Sequence, residues 1–265
     1  MLLDAHTHLD MYQGTYLDMA IEEIRQLRIL SISSSMDPGS YRKNREIASR
    51  CPLIIPAFGV HPWNAHHYAD KLNQMEQMAE ESLFLGEVGL DAYFVRDREK
   101  LNAQKLVFEY FLKEAARLDK LIIVHTKGAE EEVLEMLRRH KVRRAFIHWY
   151  SGPIDAYMGL VAEGYKFTIG FMVSHSDFIR VIARRIPREQ MLLETDNPGG
   201  FEWKHGRPGM PHIIKEVARE VARLTNQSHH EIEEMAFENF MNTLTFHERS
   251  VVVQAIRKKE PGDGK

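Results

Sequence analysis

Eight times along this chain a short run rich in Leu, Ile, Val or Phe gives way to a polar or Gly/Pro turn and then to a longer segment with helical spacing. The apolar runs begin near Leu2, Ile29, Leu53, Phe84, Leu121, Ala145, Tyr165 and Met191. Their mean step, about 27 residues, is close to the length of a strand–helix–strand unit. Continuous apolar runs mark parallel strands buried on both faces, whereas a half-exposed strand would alternate. Eight comparable units with no longer crossover at mid-chain predict a closed α/β architecture, a (β/α)8 TIM barrel. The competing open, doubly wound sheet would leave two edges exposed.

The helical segments fall over Leu17–Leu27, Ser40–Arg50, Tyr68–Glu80, Arg98–Leu118, Ala129–His140, Pro153–Ala162, Ser176–Arg185 and Pro211–Leu224. In the fourth, Leu101, Lys105, Phe108, Phe111, Leu112 and Ala115 largely keep the spacing of one buried face. Ser228 with Glu231 three residues later has the form of a capping box, so an extra C-terminal helix is expected over Ser228–Phe240. No linker divides the chain, which predicts one domain over 1–258 and a flexible tail over 259–265. Lys plus Arg number 35 against 38 Asp plus Glu, a net charge of −3. No global field therefore attracts polyanions, and any nucleic-acid binding must be local. The one cysteine, Cys51, and an N-terminus without basic and long apolar regions fit a reducing cytoplasm. No apolar run is long enough for a membrane span.

In a barrel of this kind the reacting groups gather where the strands end, under the converging loops. The first strand ends in His6 and His8, which share a face because side-chain direction repeats every two residues. The third ends in His61, the fourth in Glu87 and Asp91, the fifth in His125, the sixth in His148 and the eighth in Glu194 and Asp196. Five of the 14 histidines thus fall at one end of the expected strands, among carboxylates. Imidazole nitrogen with carboxylate oxygen suits zinc, manganese, cobalt or iron, whereas a magnesium site normally uses mostly oxygen. Buried carboxylates at Glu87 and Asp196 would be costly without a compensating cation. A metal site is expected.

These residues sit in motifs that resemble the TatD-type metal-dependent deoxyribonucleases of the amidohydrolase superfamily. The motifs are DAHTHLD at Asp4–Asp10, GVHP at Gly59–Pro62, GEVGLD at Gly86–Asp91, VHTKG at Val124–Gly128, IHWYSG at Ile147–Gly152 and LLETDNP at Leu192–Pro198. The resemblance implies a hydrolase with two divalent metal ions, the choice among Zn, Mn, Mg, Co and Fe being open. One would be held by His6, His8, Glu87 and Asp196, the other by Glu87, His125 and His148, with Glu87 as the bridge. It implies that Asp196 also handles the proton of the attacking water, and that Asp196 and Glu87 are the catalytic carboxylates. DNA or another phosphodiester is the implied substrate, with no membrane and no obligatory protein partner.

Substrate contacts are expected from His61, Lys127, Trp149 and Tyr150. Lys127 stands where the family commonly has Arg, so a point charge replaces a bidentate fork. Trp149 and Tyr150 bring more aromatic surface than the family's usual small residue and Phe, and either stack a base or pack locally. Glu194 is read as turned to the opposite face, with a structural role. Beyond Asp196 the chain departs from the family pattern, and Trp203, Lys204, His205 and Arg207 form a candidate basic, aromatic loop for a nucleic-acid end. The basic run Arg138–Arg144 precedes the sixth strand and is read as a solvated face at the other end of the barrel. Two further functions stay open: hydrolysis of a small amide, lactone or ester by the same metals, and a noncatalytic, metal-stabilised partner role.

Overall fold

The apolar runs become strands β1 (Leu2–Thr7), β2 (Ile29–Ser34), β3 (Ile54–Phe58), β4 (Phe84–Asp91), β5 (Ile122–Lys127), β6 (Ala145–His148), β7 (Lys166–Ile169) and β8 (Met191–Leu193) in a computed structural model that describes residues 1–258. They pair in parallel and in sequence order. The ring is completed beyond β8, where Asp196 N–H donates to the His6 carbonyl (3.0 Å) and His8 N–H to the Asn197 carbonyl (2.7 Å). Both faces of the sheet are buried, as the unbroken apolar runs require. The architecture is the expected TIM barrel; the tail expected over 259–265 lies outside the described residues.

Helices α1 (Thr15–Leu27), α2 (Pro38–Arg50), α3 (Glu76–Glu81), α4 (Arg98–Leu118), α5 (Glu130–Arg139), α6 (Ile154–Ala162) and α7 (Asp177–Arg185) connect successive strands. After β8 come α8 (Gly199–His205), α9 (Ile213–Thr225), α10 (His229–Thr243) and α11 (Phe246–Arg257). Phe108, Phe111, Leu112 and Ala115 of α4 are buried against the barrel. The capping box that opens α10 forms as expected, with Ser228 accepting from Glu231 N–H and the Glu231 carboxylate accepting from Ser228 N–H.

Three elements depart from the expectation. The helix expected over 68–80 is realised as one tight three-residue-per-turn segment, Leu72–Met75, running into the short α3, and a second such segment, Pro62–His67, precedes it. Met75 and Ala79 are still buried, four residues apart where the tight turn passes into α3, the spacing that puts two side chains on one helical face. The segment carrying Trp203 to His205 is the helix α8, not a loop, despite opening on two glycines. The third is α11, which starts at a second capping box made by Thr245 and Glu248.

The amino end of the barrel is closed from below by the last helices. The Phe240 ring of α10 lies 6.0 Å from Phe84 on β4 and 6.1 Å from Phe146 on β6. These strands are not neighbours, so a ring that meets both lies across the barrel floor. Arg144 fastens α11 there. Its guanidinium donates to the Glu248 carboxylate, the Thr243 carbonyl and the Asp119 carbonyl, and its side chain is only 15% exposed. The solvated reading of the basic run is therefore corrected at Arg144, while Arg138 and Arg143 do sit in exposed pairs with Glu163 and Asp119. Arg144→Met leaves the buried Glu248 without its partner. It is expected to cost about 3 kcal/mol of unfolding free energy, against less than about 1 for Arg143→Met. Urea midpoints of the two variants compare them directly.

Candidate metal centre

The strand ends deliver their polar side chains to one point. His6 and His8 bring their Nε2 atoms within 3.1 Å of each other. Glu87 Oε2 lies 3.3 Å from the first and 3.2 Å from the second, and Asp196 Oδ1 lies 3.5 Å from each. The other Glu87 oxygen, Oε1, faces a different set: His125 Nδ1 at 2.8 Å, His61 Nε2 at 3.6 Å and His148 Nε2 at 3.8 Å. One buried carboxylate thus divides its two oxygens between two groups of imidazoles. His6, His8 and Glu87 form one tight cluster of candidate ligands, His6, His148 and Asp196 a second, and His61, Glu87 and His125 a third.

Hydrogen bonds behind the rings fix which nitrogen carries the proton. His8 Nδ1 meets the Ser34 carbonyl (3.1 Å) and His148 Nδ1 meets Glu194 Oε2 (2.7 Å). Both partners only accept, so both rings are protonated at Nδ1 and, when neutral, turn an Nε2 lone pair toward Glu87. His61 has the opposite tautomer: its Nδ1 accepts from Trp63 N–H (3.2 Å), leaving the proton on Nε2. Burial pushes His61 down to about 3, so the ring is neutral. It offers the Glu87 side a donor rather than a lone pair.

Lone pairs of His8 and His148 facing the carboxylates of Glu87 and Asp196 repel unless positive charge lies among them. The titration of the groups expresses the same demand. Burial raises Glu87, but His6 and His148 around it and the hydrogen bond from His125 outweigh burial and hold the carboxyl well below its usual range. Burial lowers His6, but Glu87 and Asp196 reverse this and carry it well above its ordinary value. Burial also opposes the charge on His125, and Asp91 and Glu87 overcome it, lifting the ring to about 9. Protons or divalent cations can answer this demand, and the mixed nitrogen and oxygen donor set is the one that zinc, manganese, cobalt and iron favour. The residues therefore fit resident divalent metal.

The surroundings hold these side chains in place. The buried Asp4 carboxylate accepts from Thr195 N–H (2.9 Å) and Thr195 Oγ1 (2.6 Å), tying the middle of β1 to the segment that follows β8, and burial pushes Asp4 up to about 7. Asp196 itself has φ +51°, a left-handed conformation uncommon for a non-glycine residue and often stored at working sites. Gly200 answers to it: a Cβ there would lie 2.9 Å from Asp196 Oδ2 and 3.0 Å from the Trp149 ring. Gly89, at φ +147°, lets β4 approach β5 so closely that a Cβ would sit 2.0 Å from the His125 carbonyl oxygen.

Above these groups opens a cavity of about 1230 Å³. Its lining includes His8, Glu87, His125, His148 and Asp196, together with His61, Lys127 and Trp149. Tyr150 is the exception and is corrected. It is 2% exposed, packs against Tyr157 and Phe167, and donates its hydroxyl to the Pro153 carbonyl, so it belongs to the core. Of the candidate basic, aromatic group, Trp203 lines the cavity. His205 instead stacks on Phe201 at 4.1 Å, and Arg207 lies over the same ring.

Two carboxylates do more than the sequence reading allowed. Glu194 is fully buried and holds His148 Nδ1, so its side chain points into the site, which corrects its placement on the opposite face. Asp91 Oδ2 accepts from His125 (3.2 Å) and Trp63 Nε1 (2.7 Å). Both lie in motifs visible in the sequence, but which partner each would take depends on strand register. Glu194→Gln keeps the shape and can turn its amide NH₂ toward His148, favouring the wrong tautomer. It is expected to weaken metal binding about 10- to 100-fold, measurable by calorimetric titration.

The chain is similar to known proteins along nearly its whole length. The model of the family described as TatD related DNase matches residues 3–245. The Escherichia coli K12 protein YcfH, named an uncharacterized metal-dependent hydrolase, is 26% identical and the match covers 97% of this chain and 99% of YcfH. A Methanocaldococcus jannaschii protein of similar name, MJ1582, is also 26% identical over 89% of this chain and 94% of its own. Among solved structures, the TatD homolog YjjV of E. coli K12 superposes with a TM-score of 0.82 at 23% identity, covering 92% of this chain and 97% of YjjV. A TatD-family hydrolase of Entamoeba histolytica gives 0.78 at 16% identity, covering 91% and 97%. With the family model spanning nearly all of the barrel, this chain belongs to the TatD family.

Proposed function

We propose that this member of a family of metal-dependent hydrolases cleaves phosphodiester bonds in DNA at a dinuclear site. The observation that carries the reading is the division of Glu87: Oε2 serves His6 and His8 while Oε1 serves His125 and His148. On this reading His6, His8, Glu87 and Asp196 hold one ion, and Glu87, His125 and His148 hold the other. When bound, such a pair supplies Lewis acidity to a phosphoryl oxygen and lowers the pKa of water toward neutrality.

The chain's own groups do the rest. Asp196, held below its usual range despite burial by its bond to His6 and by His148, is ionised and accepts the proton of the attacking water at Oδ1. His61, neutral with its proton on Nε2, donates to a phosphoryl oxygen or to Glu87. The ammonium of Lys127, bonded to Ser151 Oγ at 2.6 Å, adds one positive charge to the lining. Glu194 and Asp91 keep His148 and His125 in their productive orientations.

A second reading keeps the metals and replaces the substrate with a small amide, lactone or ester. It is favoured by one feature of the lining: Lys127 is its one Lys or Arg among the described residues, set against Glu130, Glu131 and Glu132. A substrate panel separates the two. Chelator-treated protein is resupplied with Mn, Co, Zn or Mg and given bis(p-nitrophenyl) phosphate, a DNA oligonucleotide, p-nitrophenyl acetate and a lactone. Metal-dependent turnover of both phosphodiesters, in excess of the carboxylic esters, is expected. Turnover confined to the carboxylic esters would transfer the site to the second reading.

A further inference from the structure

Five aromatic residues line the cavity mouth: Trp63, Tyr93, Phe94, Trp149 and Trp203. Four of them are left largely in solvent, with Trp63 46%, Tyr93 58%, Phe94 58% and Trp203 72% exposed. Apolar surface gathered at one opening, rather than scattered, marks a binding site.

On the β3–β4 side the rings are held by a single carboxylate. Asp91 Oδ2 accepts from Trp63 Nε1 (2.7 Å), and Asp91 Oδ1 accepts from the backbone N–H groups of Tyr93 (3.0 Å) and Phe94 (2.8 Å). Phe94 stands edge-on to Trp63 at 5.9 Å, and Tyr93 edge-on to Phe94 at 4.8 Å. Asp91 also accepts from His125, so this aromatic wall and the candidate metal centre share one anchor. Trp203 comes from α8, which follows β8, four strands from β4 in the eight-stranded order. It therefore approaches the mouth from the other side of the ring.

Outside the metal centre a chain of phosphates finds one Lys or Arg side chain in the lining, whereas a planar ring finds aromatic side chains on both sides. Base stacking on aromatic side chains is tolerant of sequence and needs no cationic track. We propose that the mouth is an aromatic clamp, in which Trp63 with Phe94 on one wall and Trp203 on the other seat the nucleobase adjoining the scissile phosphate. The base, rather than a run of phosphates, then supplies most of the affinity for substrate. This inference rests on the phosphodiester reading.

The test uses the full-length, manganese-loaded protein and two ligands, thymidine 5′-monophosphate and 2-deoxyribose 5-phosphate, which differ by the base. The nucleotide is expected to bind at least about tenfold more tightly. Phe94→Ala and Trp203→Ala are each expected to cut that preference about fivefold or more, and Trp203→Tyr to restore most of it. Equal binding of the two ligands by the wild-type chain, or an unchanged preference in both alanine variants, overturns the clamp. Turnover of bis(p-nitrophenyl) phosphate is scored separately. Phosphodiester turnover without base preference defeats the clamp alone, and base preference without phosphodiester turnover defeats the phosphodiester reading alone.

Discussion

Glu87→Gln is expected to empty both metal positions together. The substitution keeps the shape but exchanges one charged oxygen for an amide NH₂, which donates where a donor is not wanted. Because Oε2 faces His6 and His8 while Oε1 faces His125 and His148, whichever way the amide turns, one set gains a nitrogen. The other loses charge. Metal content per chain after equilibration with limiting manganese should fall by about tenfold or more at both positions, the range already reached when only an outer partner is altered. Loss of one ion with the other fully retained would assign Glu87 to a single position and remove the bridge.

Asp196→Asn is the second large effect. Asp196 Oδ1 lies 3.5 Å from both His6 and His8, and the backbone turn that presents it, at φ +51°, is one that Asn adopts readily. The fold should therefore survive. An amide cannot take the proton of an attacking water, so kcat should drop by at least about 100-fold, the usual scale for a positioned general base. Circular dichroism and the urea midpoint should match the wild type. Wild-type turnover in this variant would place the proton elsewhere.

Fold and site differ in how far they could be read from residue order. Barrel strands are buried on both faces, so they leave continuous apolar runs, and β1 to β8 begin at or within one residue of the places where those runs start. Helix ends with a capping box were equally legible at Ser228, and the same signature at Thr245 and Glu248 marks α11. Segments whose contacts are set by distant packing were not. The helix α8 begins with two glycines, poor helix formers, yet Gly200 fits there because any Cβ would crowd Asp196 and Trp149.

In the site, the ligand-type residues were visible because strand ends collect them at one rim. Their orientation was not, since it depends on groups brought in from other strands: the Ser34 carbonyl behind His8, Glu194 behind His148 and Asp91 behind His125. Tyr150 shows the same limit from the other direction. It neighbours the exposed mouth in sequence, but the turn after β6 drives its ring against Tyr157 and Phe167.

The most direct test of the account is anomalous diffraction from crystals grown with manganese, joined to elemental analysis of the same protein and to its phosphodiesterase activity before and after chelation. Two anomalous peaks flanking Glu87 are expected, one beside His6 and His8 and one beside His125 and His148. Activity should vanish on chelation and return with the metal. A cluster without ions in metal-replete crystals, or phosphodiester turnover undiminished in chelator, would contradict it.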